Sequence, residues 1–247
     1  MELSQPLFLV GYSLGGSVAC KYLGEEGLSG TLQKNVRGGF CISTPMKLQF
    51  DTNASWKLFE ETIKGQLVQH RYEYSQMRCE LYQSALENAL RPHSKIRDIY
   101  SHMAPHLIRN DPQLPYSTSV GYKDVDHLFN EGSCYHYIKH ITIPLLLITS
   151  KDDPTTSDHS LDTIRQSVSN PHVIVVETET GGHVGWNHVT GNNPFGSLSK
   201  SFADKTAETF FESLILLEST GRLTGDGALI DVVYSQGLDL PRIRSKL

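Results

Sequence analysis

The chain has 247 residues, of which 38% are hydrophobic and 20% charged, and its formal net charge is -5. This length can bury one large core, so it predicts one globular domain, or one domain with an insertion. The sequence has no block of basic residues, which argues against a nucleic-acid partner. No apolar run approaches the roughly 18 residues that a membrane span needs. Scattered cysteines without a C-x-x-C pair favour buried thiols in a reducing, cytoplasmic compartment; they are Cys20, Cys41, Cys79 and Cys134.

Near the N-terminus, an apolar run leads into a G-x-S-x-G motif whose serine is Ser13. Leu7–Val10 predicts a buried strand, and Ser17–Leu23 has the apolar spacing of a helix. A strand, a sharp turn and a helix are the context of a nucleophile elbow, which favours this interpretation over a glycine-rich surface turn. We expect Gly11 and Gly15 to be glycines because strand and helix pass closely beside the turn.

Further strands and helices predict a mostly parallel sheet with helices on both faces. Val36–Thr44 and Val173–Val176 are predicted as buried strands, and the near-continuous apolar run Ile141–Thr149 as a strand covered on both faces. Ser157–Ser169 and Phe202–Glu218 have helical spacing. Strands that alternate with helices are typical of an α/β fold.

The region between the second and third predicted strands differs in character from the rest. Its apolar residues, mainly in Trp56–Leu90, fall near helical spacing, and it has no strand signal. We therefore expect a core of residues 1–46 and 129–220 that is interrupted by a helical insertion, or cap, of residues 47–128. Such an insertion can form the walls of a substrate pocket. Residues 221–247 are predicted to be a C-terminal extension without an assigned role.

Two predicted strands are followed by loops that could complete a catalytic site with the serine. A serine hydroxyl needs a base, and the base needs an acid. Asp152 and Asp153 follow Thr149, and a Gly-Gly pair precedes His183 after the next strand. Either loop alone could be an ordinary turn, but three matches in the order Ser, Asp, His favour a triad. Asp153 is favoured as the acid because it reaches further across the sheet.

Other polar clusters are weaker candidates. Cys134, His136 and His140 resemble part of a metal site, but no fourth ligand stands at a convincing spacing, so the sequence predicts neither a metal nor a cofactor. Asp124 and Asp126 are expected to cap a helix or stabilise a turn.

Four segments of the chain resemble the YheT-like, ABHD-type branch of the α/β-hydrolases, over about Leu7–Leu217. They are Gly11–Glu25, Gly121–Leu128, Ile143–Pro154 and Gly181–Trp186. The resemblance implies a partial α/β-hydrolase fold and a serine hydrolase that acts on carboxylic esters, with acylglycerols and phospholipids among the substrates of animal relatives. It matches Ser13 to the nucleophile, Asp153 to the acid and His183 to the base. Trp186 departs mildly from the Phe or Leu that is common beside the base.

The resemblance also implies strands ahead of the elbow. In this fold the elbow follows the fifth strand, whereas six residues precede Leu7; at about 30 residues per βαβ unit, roughly a hundred further residues are expected, and in the family they often carry a membrane anchor. We expect Leu7–Val10 to form a bare sheet edge. The family's oxyanion hole uses the backbone N–H after the nucleophile, here that of Leu14, and a second donor from the preceding part of the fold.

The sequence leaves two functions open. The first is a serine hydrolase with a small-molecule ester or lipid substrate. The second is a non-catalytic, truncated hydrolase-like protein, an isoform or an incomplete gene model, that binds at most a lipid or a partner. The complete set of triad residues favours the first. The second is favoured because this sequence lacks the upstream strands that the resemblance implies.

Overall fold

The chain forms two compact units. The computed structural model describes residues 5–49, 54–69, 87, 91, 95–106, 121–155, 169–186 and 201–221. One unit comprises residues 1–46 and 134–247, and the other comprises residues 47–133. Several predicted features lie outside the described residues. They are the predicted helix Ser157–Ser169 except for its last residue, the part of Trp56–Leu90 beyond residue 69 except residue 87, Cys79, and the extension after Gly221.

The first unit is built on a parallel sheet of four strands in the order β1-β2-β3-β4. Its strands are β1 (Leu7–Tyr12), β2 (Val36–Ile42), β3 (Leu145–Ser150) and β4 (Val173–Thr178). Tyr12, Ile42, Ile148 and Val176 lie side by side in register. The carboxyl ends of all four strands therefore share one edge of the sheet, and the predicted parallel sheet is confirmed. Of the described strands, only β2 pairs with β1.

Helices cover both faces of this sheet, which confirms the predicted α/β class. The described α-helices are α1 (Leu14–Ser29), α2 (Ala54–Gln69), α3 (Ile96–Met103), α4 (Val125–Gly132) and α5 (Phe202–Ser219). On one face, Cys20 and Leu23 of α1 belong to a buried cluster with Leu147 of β3. On the other face, Leu214 of α5 packs in a second cluster with Phe40 of β2. No helix in the described ranges has the length and apolar character to cross a membrane.

The strand bounds differ from the prediction where apolar residues pack without joining the sheet. The third strand begins at Leu145 instead of Ile141. The carbonyl of Ile141 accepts a hydrogen bond from the Asn170 side chain (2.9 Å), and the proline nitrogen of Pro144 has no hydrogen to donate. Ile141 is still buried. Hydrophobicity marks it as a core residue and does not reveal that it precedes the strand.

In each unit, a hydrogen bond joins the two places where the chain passes from one unit to the other. In the first unit, the N–H of Tyr135 donates to the carbonyl of Met46 (3.1 Å). In the second unit, the N–H of Leu48 donates to the hydroxyl of Ser133 (2.8 Å). The segment of residues 47–133 therefore leaves the first unit and returns to it at neighbouring points.

The described part of the second unit contains α2, α3 and α4. Asp124 caps α4, since its carboxylate accepts the N–H of His127 (2.8 Å), as the sequence predicts. Asp126 lies in the first turn of α4 and forms an ion pair with Arg97.

Candidate active site

Ser13 lies in a sharp turn between β1 and α1. Its backbone has φ 51° and ψ -124°, a positive-φ conformation that costs free energy for a residue with a side chain. The N–H of Ser13 donates to the carbonyl of Ile42 (2.9 Å), and its carbonyl accepts the N–H of Gly16 (2.9 Å). These bonds hold the strained residue at the carboxyl edge of the sheet, with its side chain half-buried.

The turn has no room for side chains at two of its glycines. A Cβ on Gly11 would lie 2.6 Å from the carbonyl oxygen of Gly15 and from the Cα of Gly16, and a Cβ on Gly16 would lie 2.2 Å from the hydroxyl oxygen of Thr44. A Cβ on Gly15 would meet no described atom within 4 Å. The expectation for Gly11 is therefore confirmed, and the expectation for Gly15 is wrong, because the close approach falls on the next residue.

The side chains of Ser13, His183 and Asp153 form one hydrogen-bonded row. His183 Nε2 lies 2.8 Å from Ser13 Oγ, and His183 Nδ1 lies 2.9 Å from Asp153 Oδ2 and 3.0 Å from Oδ1. A carboxylate only accepts hydrogen bonds, so Nδ1 carries a proton, and in the neutral imidazole Nε2 then presents its lone pair to the serine hydroxyl. The Asp153 side chain is 1% exposed and that of His183 is 23% exposed.

Thr155 satisfies the buried carboxylate of Asp153 and is a residue that sequence reasoning missed. Its backbone N–H and its hydroxyl both donate to Asp153 Oδ1, at 2.8 and 2.9 Å. The same hydroxyl oxygen contacts His183 Nδ1. A buried carboxylate needs such partners to offset its lost hydration. The signal in the sequence is a threonine two residues after an aspartate, which is typical of an Asx turn.

The loop that carries His183 is a tight turn packed on Trp186. A Cβ on Gly181 would lie 2.3 Å from Trp186 Nε1, and Gly182 has φ 62°. The indole N–H of Trp186 donates to the hydroxyl of Thr178 (3.0 Å). The Gly-Gly pair thus serves two purposes, since Gly181 admits the indole ring and Gly182 takes the left-handed turn before His183.

The two adjacent aspartates, of which the sequence favours Asp153 as the acid, have different contacts. Asp153 reaches the imidazole, whereas Asp152 Oδ1 accepts the N–H of Gly182 (2.8 Å). The hydroxyl of Ser150 donates to the carbonyl of Gly182 (2.7 Å). The Gly182 N–H lowers the pKa of the Asp152 carboxyl, because this donor favours the charged form.

Leu14, the predicted oxyanion donor, is the first residue of α1. The first backbone N–H groups of a helix have no acceptor within the helix, and they lie at the positive end of its dipole. The N–H of Leu14 is therefore a donor adjacent in sequence to Ser13. Its side chain is exposed.

The cysteine and the two histidines considered as part of a metal site each have a different environment. Cys134 Sγ lies 3.6 Å from Met46 Sδ, and the ring of His136 stacks on Tyr135 with centroids 3.8 Å apart. His140 ends a separate 3₁₀ turn. Within the described ranges, no three His, Cys, Asp or Glu side chains are grouped to hold a metal ion.

The free thiols of the described region are buried in the core. They belong to Cys20, Cys41 and Cys134. Cys20 Sγ lies 3.8 Å from Cys41 Sγ. Hydrogen bonds with Cys134 and Cys41, together with burial, raise the pKa of the Cys20 thiol well above its ordinary value.

Residues 3–185 match the family model described as alpha/beta hydrolase fold. The chain is similar to the monoacylglycerol lipase of Saccharomyces cerevisiae, with 25% identity over 189 residues that cover 74% of this chain and 38% of that protein. It is 26% identical to phospholipase ABHD3 of Bos taurus over 214 residues (86% and 47%), and 30% identical to monoacylglycerol lipase ABHD2 of Danio rerio over 195 residues (73% and 42%). The chain spans less than half the length of these curated relatives.

Proposed function

Because the chain belongs to the α/β-hydrolase fold family, in its ABHD branch, we propose that it is a serine hydrolase that cleaves carboxylic esters of lipids. The observation that carries this proposal is the distance of 2.8 Å between His183 Nε2 and Ser13 Oγ. The relatives named monoacylglycerol lipase and phospholipase support an acylglycerol or phospholipid substrate.

In the proposed first step, Ser13 Oγ attacks the carbonyl carbon of the ester while His183 Nε2 takes the hydroxyl proton. The carbonyl π electrons move to oxygen and form an oxyanion, toward which the backbone N–H of Leu14 donates. Preorganised donors of this kind contribute about 3–4 kcal/mol each to transition-state stabilisation in acyl transfer.

The proposed intermediate then collapses. The oxygen re-forms the carbonyl, the ester C–O bond breaks, and the imidazolium of His183 gives its proton to the leaving alcohol. Water repeats the sequence on the acyl-enzyme, with His183 as base and then as acid, and releases the fatty acid from Ser13. Each proton and electron pair moves between these two side chains, the substrate and water, so the scheme calls for no cofactor.

The role proposed for Asp153 is to hold the imidazole and stabilise its charged form. Its carboxylate oxygens lie within 3.0 Å of His183 Nδ1. Burial strengthens this interaction, because water does not screen the carboxylate. Loss of the acid would leave His183 free to rotate away from the serine.

Labelling of the 247-residue chain with a fluorophosphonate, read by intact mass, tests the proposed nucleophile. We expect one adduct on the parent and none on Ser13→Ala or His183→Ala. Ser29→Ala is the matched control, because Ser29 is an exposed serine at the far end of α1, the helix that follows Ser13, and it should label like the parent. A folded parent that takes up no label would contradict catalysis and support the non-catalytic alternative.

The substrate class is tested by fatty-acid release from a monoacylglycerol, a phosphatidylcholine and the amide analogue of the monoacylglycerol. We expect release from at least one of the two esters and none from the amide. Release that persists in Ser13→Ala would mean that a contaminant or another site is responsible.

A further inference from the structure

The residue directly before His183 is held on both sides, by the last residue of β3 and by the loop that carries the acid. Asp152 accepts the N–H of Gly182 at 2.8 Å, and Ser150 donates to the carbonyl of the same glycine at 2.7 Å. We name this arrangement, Ser150 and Asp152 on the backbone of Gly182, the Gly182 clamp. It joins residues that are 32 and 30 positions apart in the chain.

Gly182 needs such support because its backbone is intrinsically free. It adopts φ 62°, and glycine loses more conformational freedom on folding than any other residue. The dihedrals of this residue set the direction in which His183 leaves the turn. Without external partners, rotation at Gly182 would move the imidazole relative to Ser13 and Asp153.

The two clamp residues are fixed to different degrees. Ser150 is the last residue of β3 and is completely buried, so its hydroxyl is a rigid donor. Asp152 is solvent-exposed, so substitution there removes an acceptor without opening a cavity in the core. The neighbouring Asp153 contacts the imidazole itself. One short loop thus contacts both the ring of the histidine and the backbone that precedes it.

We propose that Asp152 and Ser150 are positioning residues, which aim the imidazole of His183 at Ser13 by clamping Gly182. The inference rests on the proposed function for its catalytic consequence. Its structural content, that Asp152 maintains the His183–Asp153 hydrogen bond, is independent of activity. Small displacements matter at such a site, because a 1 Å misplacement of a catalytic group can cost about a hundredfold in rate.

The test compares Asp152→Ala, which removes the acceptor, with Asp152→Asn, which keeps a side-chain oxygen. The first readout is the far-downfield NMR signal of the Nδ1 proton of His183, and the second is the rate constant of fluorophosphonate labelling. We expect Asp152→Ala to lose or broaden the signal and to label about tenfold more slowly, a part of the hundredfold cost of full misplacement. Asp152→Asn should keep the signal and label within about threefold of the parent.

Asp124→Ala is the matched control. Asp124 also accepts one backbone N–H at 2.8 Å, but it does so at the start of α4. Its loss should lower the melting temperature and leave both the signal and the labelling rate unchanged. This control separates positioning from a general loss of stability.

The outcomes decide the two proposals separately. If the parent shows the signal and Asp152→Ala loses it, the clamp stands, even if the parent takes up no label and the hydrolase proposal fails. If Asp152→Ala keeps the signal, if Asp152→Asn loses as much as the alanine variant, or if the folded parent shows no signal, the clamp is overturned.

Discussion

The turn at Ser13 and the loop at His183 are held by different forces, although their side chains meet. At the serine, backbone packs on backbone, and Gly11 has no room for a single added carbon. At the histidine, the side chains of Ser150 and Asp152 hold the backbone through hydrogen bonds. The turn at Ser13 therefore keeps its conformation only if Gly11 carries no side chain. The loop at His183 keeps its conformation only if particular polar side chains are present.

The largest effect is expected at the turn, for Gly11→Ala. The new Cβ would overlap backbone atoms 2.6 Å away, so strand and helix must move apart. Overpacking of this kind costs about 1–3 kcal/mol of stability. We expect fluorophosphonate labelling to fall about a hundredfold, as for a 1 Å misplacement of the serine. Thermal unfolding and labelling rates measure both effects.

Gly15→Ala is the comparison within the same turn. Its Cβ would meet nothing within 4 Å among the described atoms, and alanine within a helix is about 0.5–1 kcal/mol more stable than glycine. Equal losses in the two variants would show that steric exclusion does not distinguish the two glycines.

An intermediate effect is expected at the acid, for Thr155→Val. This change removes the hydroxyl that donates to Asp153 Oδ1 at 2.9 Å and keeps the shape of the side chain. A hydrogen bond to a charged group contributes about 1.5–3 kcal/mol, so we expect labelling to slow by about tenfold. Thr155→Ser keeps the hydroxyl and should react like the parent. Parental rates in the valine variant would remove Thr155 from the supporting contacts of the acid.

The smallest effect is expected in the core beneath the turn, where we predict that native Cys20, Cys41 and Cys134 resist alkylation. All three are fully buried. The thiolate is the reactive form, and the raised pKa of Cys20 keeps that thiol protonated at neutral pH. Peptide mapping after iodoacetamide treatment should find these thiols unmodified in the folded chain and modified after unfolding. Rapid native alkylation would show that the packing opens.

The sequence predicts the strand-turn-helix around Ser13 because an apolar run, a motif and a helical pattern are all local signals. It assigns the close contact to Gly15 instead of Gly16, since the collision involves Thr44, which is distant in the chain. It extends the third strand back to Ile141, because burial and strand membership produce the same apolar letters. Local pattern thus identifies elements better than their ends.

The same limit applies to the two adjacent aspartates. Spacing after a strand favours Asp153 over Asp152 as the acid, and the structure places Asp153 against the imidazole. The contact of Asp152 with Gly182 leaves no mark in the sequence, because any polar residue beside a turn looks the same. Contacts between loops from different strands depend on the sheet that brings them together.

The hydrogen bond between Met46 and Tyr135 has a consequence for changes in the length of the segment between them. The carbonyl of the first and the N–H of the second are 3.1 Å apart, and Leu48 and Ser133 are likewise joined. A segment with adjoining ends can be lengthened, shortened or exchanged at little cost in chain entropy to the sheet that it interrupts. Residues 47–133 therefore form an exchangeable segment. Chimaeras could replace it with the corresponding segment of a relative at these two junctions.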